Sequence, residues 1–236
     1  MYTMIIGGDI VPTETNYDIF AAGDVQHLAG EALLAELRAA DFRIFNLETP
    51  LTDTACPIAK CGPNLMAPTR TLPGIQAFAP SLLAMANNHI LDEGAQGLFS
   101  TMRLLQANDI PFIGAGSNLG EAQKPYIVHA EGKKIGIYNC AEHEFSIAET
   151  EQPGANPFDW LDSPDHIAAL KQECDFVVVL YHGGKEHYRY PSPQLQKVCR
   201  KIADKGADLV VCQHSHCVGC MERYGDSVLV YGQGNF

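Results

Sequence analysis

The sequence predicts an α/β sandwich, in which strands alternate with helices and a central sheet is covered on both faces. Three observations carry this. Apolar runs rich in β-branched residues, such as Phe176-Val-Val-Val-Leu-Tyr-His182, are continuous rather than alternating, as in strands buried on both sides. Segments of helical period lie between such runs. Five of the runs also stop on side chains of the kind that bind metals or carry protons.

The composition suits a packed protein. The chain has 236 residues, 46% hydrophobic and 19% charged, enough for a sizeable core. No repeat, low-complexity stretch or linker divides it, so residues 1–236 are read as one domain. Sixteen Lys and Arg face 28 Asp and Glu, a formal charge of -12. Without a basic stripe, nucleic acid is excluded as a main partner. An anionic substrate would need a bound cation to attract it. Met1-Tyr-Thr-Met-Ile-Ile runs straight into a strand, so no signal peptide is expected. No run approaches the roughly 18 apolar residues of a membrane span. The sequence as given therefore reads as soluble and cytoplasmic, with its eight cysteines reduced. It ends on Gly-Asn-Phe236 straight after a strand-like run, which suggests a missing C-terminal segment.

Taken in order, Met4-Ile-Ile-Gly-Gly-Asp9 is a short strand closing on two glycines and an aspartate. Residues 30–40 (GEALLAELRAA) have helical spacing, with Leu33, Leu34 and Leu37 on one side. Asp24 and His27, just before it, read as capping or surface groups. Asp41 to Glu48 is a second strand, ending on Asn46-Leu-Glu48. Pro50 to Pro80 is proline-rich and irregular, an excursion of the length found in lids and binding loops. Its Cys56 and Cys61 read as surface thiols or a metal clip without a partner pair. Ser81 to His89 is a third apolar run, closing on Asn87-Asn88-His89, with Asp92 and Gly94 leading into a helix over 95–107. Turn chemistry accounts for the asparagines and leaves the histidine unexplained.

Ile110 to Gly114 reads as a strand, and 126–129 with 134–139 as a hairpin. The polar cluster Ala141-Glu-His143-Glu144 follows, a candidate pocket lining. Ser163-Pro opens a helix to about Glu173, with serine as N-cap. His182 ends the fourth run and is followed by Gly183-Gly-Lys-Glu186. Ser192-Pro193 starts a helix to about Lys205. Leu209 to Gln213 delivers His214 and His216, and Ser227 to Gly232 is the last strand. Cys212, Cys217 and Cys220 surround the double histidine; one Cys-Val-Gly-Cys pair alone does not make a four-thiolate zinc site.

Asp9, Glu48, Asn88-His89, His182, His214 and His216 thus share one structural context, the carboxyl ends of strands. Two carboxylates, an amide oxygen and imidazoles form a donor set for two divalent cations sharing a carboxylate. His89 would remain free as a general acid.

Gly8-Asp9, Asn46-Leu-Glu48, Ala86-Asn-Asn-His89 with Asp92-x-Gly94, His182-Gly-Gly-Lys-Glu186, residues 206–216 and Tyr231-Gly-Gln-Gly-Asn-Phe236 resemble the CapA-type poly-gamma-glutamate capsule biosynthesis family, a branch of the calcineurin-like metallophosphatases. The resemblance covers essentially the whole chain. It implies a four-layer α-β-β-α sandwich with a dinuclear site of Mn, Zn or Fe. By position, Asp9, Glu48 and His216 resemble ligands of one metal. Glu48 as the bridge, with Asn88, His182 and His214, resembles the set of the other. His89, beside Asn88, matches the catalytic histidine that assists the phosphoester. Glu186, Tyr188, His143 and Asn235 are the candidate substrate contacts. Two departures stand out: Val11 where the broader phosphatase pattern has histidine, and Glu48 where it has aspartate. They make the second site the firmer of the two. The resemblance implies a metal-dependent phosphoesterase-like hydrolase acting on an anionic small molecule or polymer. A non-catalytic accessory protein that binds polyglutamate and a metal-dependent amide hydrolase are the alternatives. Family members are often membrane-anchored and extracellular.

Overall fold

A computed structural model describes residues 1–236. Its elements in chain order are β1 (Met4–Ile10), α1 (Tyr17–Ala22), α2 (Val25–Ala39), β2 (Phe42–Leu47), α3 (Leu72–Ala77), β3 (Leu82–Ala84), α4 (Gly94–Ala107), β4 (Phe112–Ile113), β5 (Ala115–Gly116) and α5 (Leu119–Ala122). They continue with β6 (Tyr126–Ala130), β7 (Lys133–Ala141), β8 (Gly154–Ala155), α6 (Asp162–Glu173), β9 (Phe176–His182), α7 (Pro193–Asp204), β10 (Leu209–Gln213), β11 (Met221–Tyr224) and β12 (Ser227–Val230).

Two sheets organise the molecule. The first is all parallel, in the order β1-β2-β3-β4. The second runs β11-β12-β10-β9-β7-β6, parallel in its interior, with β6 and β11 antiparallel at the edges. Successive side chains of a strand point to opposite faces, and here both faces are covered. On β2, Ile44 faces the core between the sheets and Phe45 faces a core under the helices. On β9, Val178 and Leu180 face the same inter-sheet core, while Val177, Val179 and Tyr181 pack beneath α6 and α7. Three cores separate four layers: helices, sheet, sheet, helices. The continuous apolar runs follow from this, since neither face of such a strand meets water.

The C-terminal residues join the sheets. Asp9 bridges to Asn235, Phe236 N donates to Asp9 O, and Gln233 Nε2 donates to Ile6 O at 2.6 Å. This contact requires glycine at position 8, where a Cβ would stand 2.3 Å from the Gly234 carbonyl. A register shift in β1 between Ile6 and Asp9 sets Asp9 opposite Asn46. Asn139 on β7 ties the second sheet to the end of β3: its Oδ1 accepts from Met85 N and Ala86 N, and its Nδ2 donates to Leu180 O.

The structure corrects the sequence reading in four places. The helix expected to start at Ser163 starts at Asp162, and its first amides are capped by the Asp159 carboxylate. Ser163 lies inside it, with its hydroxyl accepting from Asp159 N. Ser192, by contrast, does cap α7, accepting from Leu195 N. The 50–80 excursion contains α3, and β11 completes a hairpin with β12 that no periodicity announced. The helix read from Gly30 begins at Val25 and kinks at Gly30, with Asp24 accepting from His27 N at its start.

Candidate metal centre

Strands β1, β2 and β3 of the first sheet lead into short polar turns, and so do the two central strands of the second. Asp9 lies near the end of β1, Glu48 follows β2, and Asn88 and His89 sit in the turn after β3. His182 ends β9, and His214 and His216 follow β10. The carboxyl ends of both sheets open on the same side, so these residues meet at the seam between them. All but His216 are buried. His214 and His216 adopt positive φ, +83° and +53°, a conformation that few non-glycine residues hold.

The donors fall into two trios that share Glu48. In one, Glu48, His182 and His214 bring ligand atoms within 4.8 Å of one another; in the other, Asp9, Glu48 and His216 do. His182 Nε2 stands 3.2 Å from Glu48 Oε1 and 3.0 Å from Asn88 Oδ1, so the first trio has a fourth donor at hand. His216 Nδ1 lies 3.3 Å from Asp9 Oδ2 and 2.8 Å from Asn235 Oδ1.

These residues fit a pair of divalent cations. Asp9 Oδ2, Glu48 Oε1 and His214 Nδ1 are buried without a hydrogen-bond partner. Orphaned polar atoms are costly in a folded interior, and all three belong to residues of the two trios. The protonation states agree. Burial lowers His182 to about 4 and His214 to about 3, so both imidazoles are neutral Lewis bases at neutral pH. Burial, and then Asp9, pushes Glu48 up to about 8. Burial alone would lift Asp9, but the His216 ring beside it, the charge of His182 and the Asn46 amide together hold it below its ordinary value. The Asp9 contact raises His216 to about 9. Without a cation, the cluster keeps protons where a cation would sit.

A cleft of about 670 Å³ opens above the seam, lined in part by Asp9, Glu48, Asn88, His89 and His216. His89 Nδ1 lies 2.6 Å from Asp92 Oδ2, which leaves Nε2 as its free ring nitrogen. Lys60, from the 50–80 excursion, adds a buried ammonium: Nζ lies 2.5 Å from Asp92 Oδ1 and 3.2 Å from His89 Nδ1, with the side chain 2% exposed. Asp92 also accepts from Leu65 N through its carboxylate, and from Ile58 N and Asn64 Nδ2 through its carbonyl. One aspartate thus holds both the histidine and the loop wall.

Of the candidate substrate contacts, Glu186 and Asn235 line this cleft. His143 does not; it lines a neighbouring cavity that shares Glu144 and Phe145 with the cleft. Tyr188 is not brought in either. Its ring is 53% exposed and lies under Lys185 Nζ at 4.1 Å, because the glycine-initiated turn after His182 presents His187 to the cleft instead. Cys217 and Cys220 are partly exposed, while Cys212 is buried against Cys199, Sγ to Sγ 3.4 Å, so the three thiols near the histidines do not converge. Lys60 and the buried amides Asn46 and Asn87 went unread. The lysine sits in a segment without periodicity, and an asparagine at a strand end looks like a turn former.

The model of a family described as bacterial capsule synthesis protein PGA_cap matches residues 3–236. The chain is 29% identical over 179 residues to a capsule biosynthesis protein CapA of Bacillus anthracis, covering 73% of this chain and 44% of that one. It is 28% identical over 204 residues to the PGA biosynthesis protein CapA of Bacillus subtilis, covering 84% and 53%. A Mycobacterium tuberculosis protein described as a probable polyglutamine synthesis accessory protein is 31% identical over 225 residues, covering 87% and 58%. The chain therefore spans about half the length of these relatives. Among solved structures, a phosphatase from Mycoplasma pneumoniae superposes with a TM-score of 0.58 at 16% identity, covering 99% of this chain and 72% of that one. The NAD nucleotidase of Haemophilus influenzae superposes at 0.56 and 14%, covering 86% and 43%. These likenesses show a shared fold.

Proposed function

The chain belongs to the bacterial capsule synthesis family that bears the PGA_cap name, and from that premise we propose that it is a metal-dependent hydrolase of the phosphoesterase type. The observation that carries the reading is the seam itself: six donor side chains from two sheets, three of them with an orphaned atom, beneath an open cleft. Glu48, Asn88, His182 and His214 would hold one cation, and Asp9, Glu48 and His216 the other. When bound, such a pair polarises a phosphoryl oxygen and lowers the pKa of a water. The residues of the chain do the rest. The neutral His182 and His214 offer lone pairs without giving up protons. Asp92 fixes the His89 ring, whose Nε2 is then placed to hold a proton for a departing oxygen. Glu186 and Asn235 face the substrate from the rim.

The test is hydrolysis of bis-p-nitrophenyl phosphate and p-nitrophenyl phosphate by the purified chain with Mn²⁺ or Zn²⁺. Turnover is expected with the cation and not after chelation, and Asn88→Ala combined with His214→Ala should abolish it. Equal activity in the double variant overturns the proposal.

A second reading is an accessory protein that holds an anionic polymer such as polyglutamate without turning it over. It is supported by Val11, which leaves the Asp9 trio one donor short of the Glu48–His182–His214 set with its Asn88, and by the description of the mycobacterial relative. Cation-dependent binding of polyglutamate with no ester or amide cleavage would favour it. Release of glutamate from the polymer would favour amide hydrolysis at the same centre.

A further inference from the structure

We propose that Asn46 is a positioning residue that couples the two cation sites through its one buried carboxamide. This rests on the reading that both trios hold cations. Asn46 lies on β2, two residues before the shared Glu48, and is fully buried. Its Nδ2 donates to Asp9 Oδ1 at 2.7 Å and lies 3.3 Å from His182 Nδ1. Asp9 belongs to one trio and His182 to the other. Its Oδ1 accepts from Asn87 Nδ2 at 3.1 Å. Asn87 in turn donates to Leu47 O at 2.8 Å and accepts from His89 N at 3.1 Å. The amide therefore holds a ligand of one site directly, and through one further amide it holds the turn that carries Asn88, a donor of the other, and His89.

The chemistry argues for more than packing. A carboxamide has two N–H donors and an acceptor oxygen, and here both sides of the group are engaged with residues of the site or of the turn behind it. Burying an amide where an apolar side chain would fill the same space costs free energy unless its partners need it. Asp9 reaches Asn46 through Oδ1, and its other oxygen is one of the orphans aimed into the site. Holding Oδ1 thus fixes where Oδ2 points. On the far side, Asn46 acts through Asn87, which Asn46 Oδ1 and Leu47 O hold in place, and so fixes the turn that sets Asn88 Oδ1 3.0 Å from His182 Nε2. Partners of this kind orient metal ligands, and their loss typically weakens metal affinity about 10- to 100-fold. Asn46 orients Asp9 directly and Asn88 through Asn87, so its removal should be felt at both sites.

The experiment is calorimetric titration of the cation-free chain with Mn²⁺, with electron paramagnetic resonance of the filled protein. The wild type is expected to take two ions and give the signal of a spin-coupled pair. Asn46→Ala is expected to weaken both sites, by about 10- to 100-fold each, and to replace the coupled signal with that of isolated ions. His214→Ala, the control, should weaken one site only. Circular dichroism establishes that the variants fold, and Asn46→Ser, with the same joint loss expected, replaces Asn46→Ala if that variant does not. A variant at position 46 that keeps both affinities within about twofold, or loses only one site, overturns the coupling while leaving the metal reading intact. A wild-type chain that takes up no Mn²⁺ overturns the metal reading and the coupling with it.

Discussion

Besides Asp9, which is ionised in both states above about pH 5, four side chains of the seam hold protons differently from their unfolded counterparts, and the consequence is measurable without any substrate. Glu48 at about 8 and His216 at about 9 are raised; His182 at about 4 and His214 at about 3 are lowered. Above an ordinary imidazole value near 6.5, the folded chain keeps the Glu48 and His216 protons that the unfolded chain has released, so stability falls as pH rises towards 8. Below it, the unfolded chain protonates all three imidazoles, against two protons on the folded cluster, so stability falls again towards acid. The cation-free protein should be most stable near pH 6.5. It should lose on the order of 2 kcal/mol by pH 8, with the partly exposed His216 discounted. Urea unfolding at several pH values in chelator tests this; a curve that keeps rising from 6.5 to 8 contradicts it. The same two protons must leave when a cation binds, so Mn²⁺ affinity should climb with pH up to about 8 and 9. Calorimetry in buffers of different ionisation heat counts the protons released.

The metal-binding residue types were readable at this scale because each closes an apolar run, where packing gives no reason for an imidazole or a carboxylate. Asn46, Asn87 and Asn139 were not, since their side chains act on partners 37 to 54 positions away.

At the level of elements, the 50–80 excursion owes its course to Asp92, with Glu93 accepting from Cys56 N nearby. Asp92→Ala should leave the Lys60 ammonium without its carboxylate in the closed form and so drive the segment around residues 54–65 open. Breaking a buried pair by removing one partner typically costs about 3–5 kcal/mol. Limited proteolysis should then cut within that segment at protease levels that leave the wild type whole; an unchanged digestion pattern would contradict the clamp. Asn139→Ala removes the acceptor of two buried amides at the end of β3, at a cost of about 2–4 kcal/mol in urea unfolding. Helices and central strands could be read from period and caps, as Ser192 at the start of α7 illustrates. What escaped was held by tertiary partners: α3 inside a proline-rich stretch, the two-residue strands β5 and β8, and the edge strand β11. Ser163 misled because the Ser-Pro signature was one turn position late, and Asp159 had already capped the helix.

For the molecule as a whole, the ligands divide evenly between the layers. Asp9, Glu48 and Asn88 come from the first sheet, and His182, His214 and His216 from the second. A cation bound there favours only the folded chain. At a hundredfold excess over its dissociation constant it should stabilise by about 2.7 kcal/mol, or roughly 5–10 °C in melting temperature for a chain of this size. Differential scanning fluorimetry with Mn²⁺ and with EDTA measures the difference, and the shift should shrink in His214→Ala, which keeps the Asp9–Glu48–His216 site. The layered architecture was legible because Phe176 to His182 and Leu209 to Gln213 lack a polar face. The pairing of two separate sheets was not, since nothing in a single strand names its neighbour. That pairing has one more effect. A slip of either sheet along the other, too small to expose any core, would still drag three donors past the other three. Cation uptake should therefore work as a vernier on the inter-sheet core: a cavity-forming change such as Leu180→Ala should blur the alignment, and so the affinity, at temperatures where the chain is still fully folded.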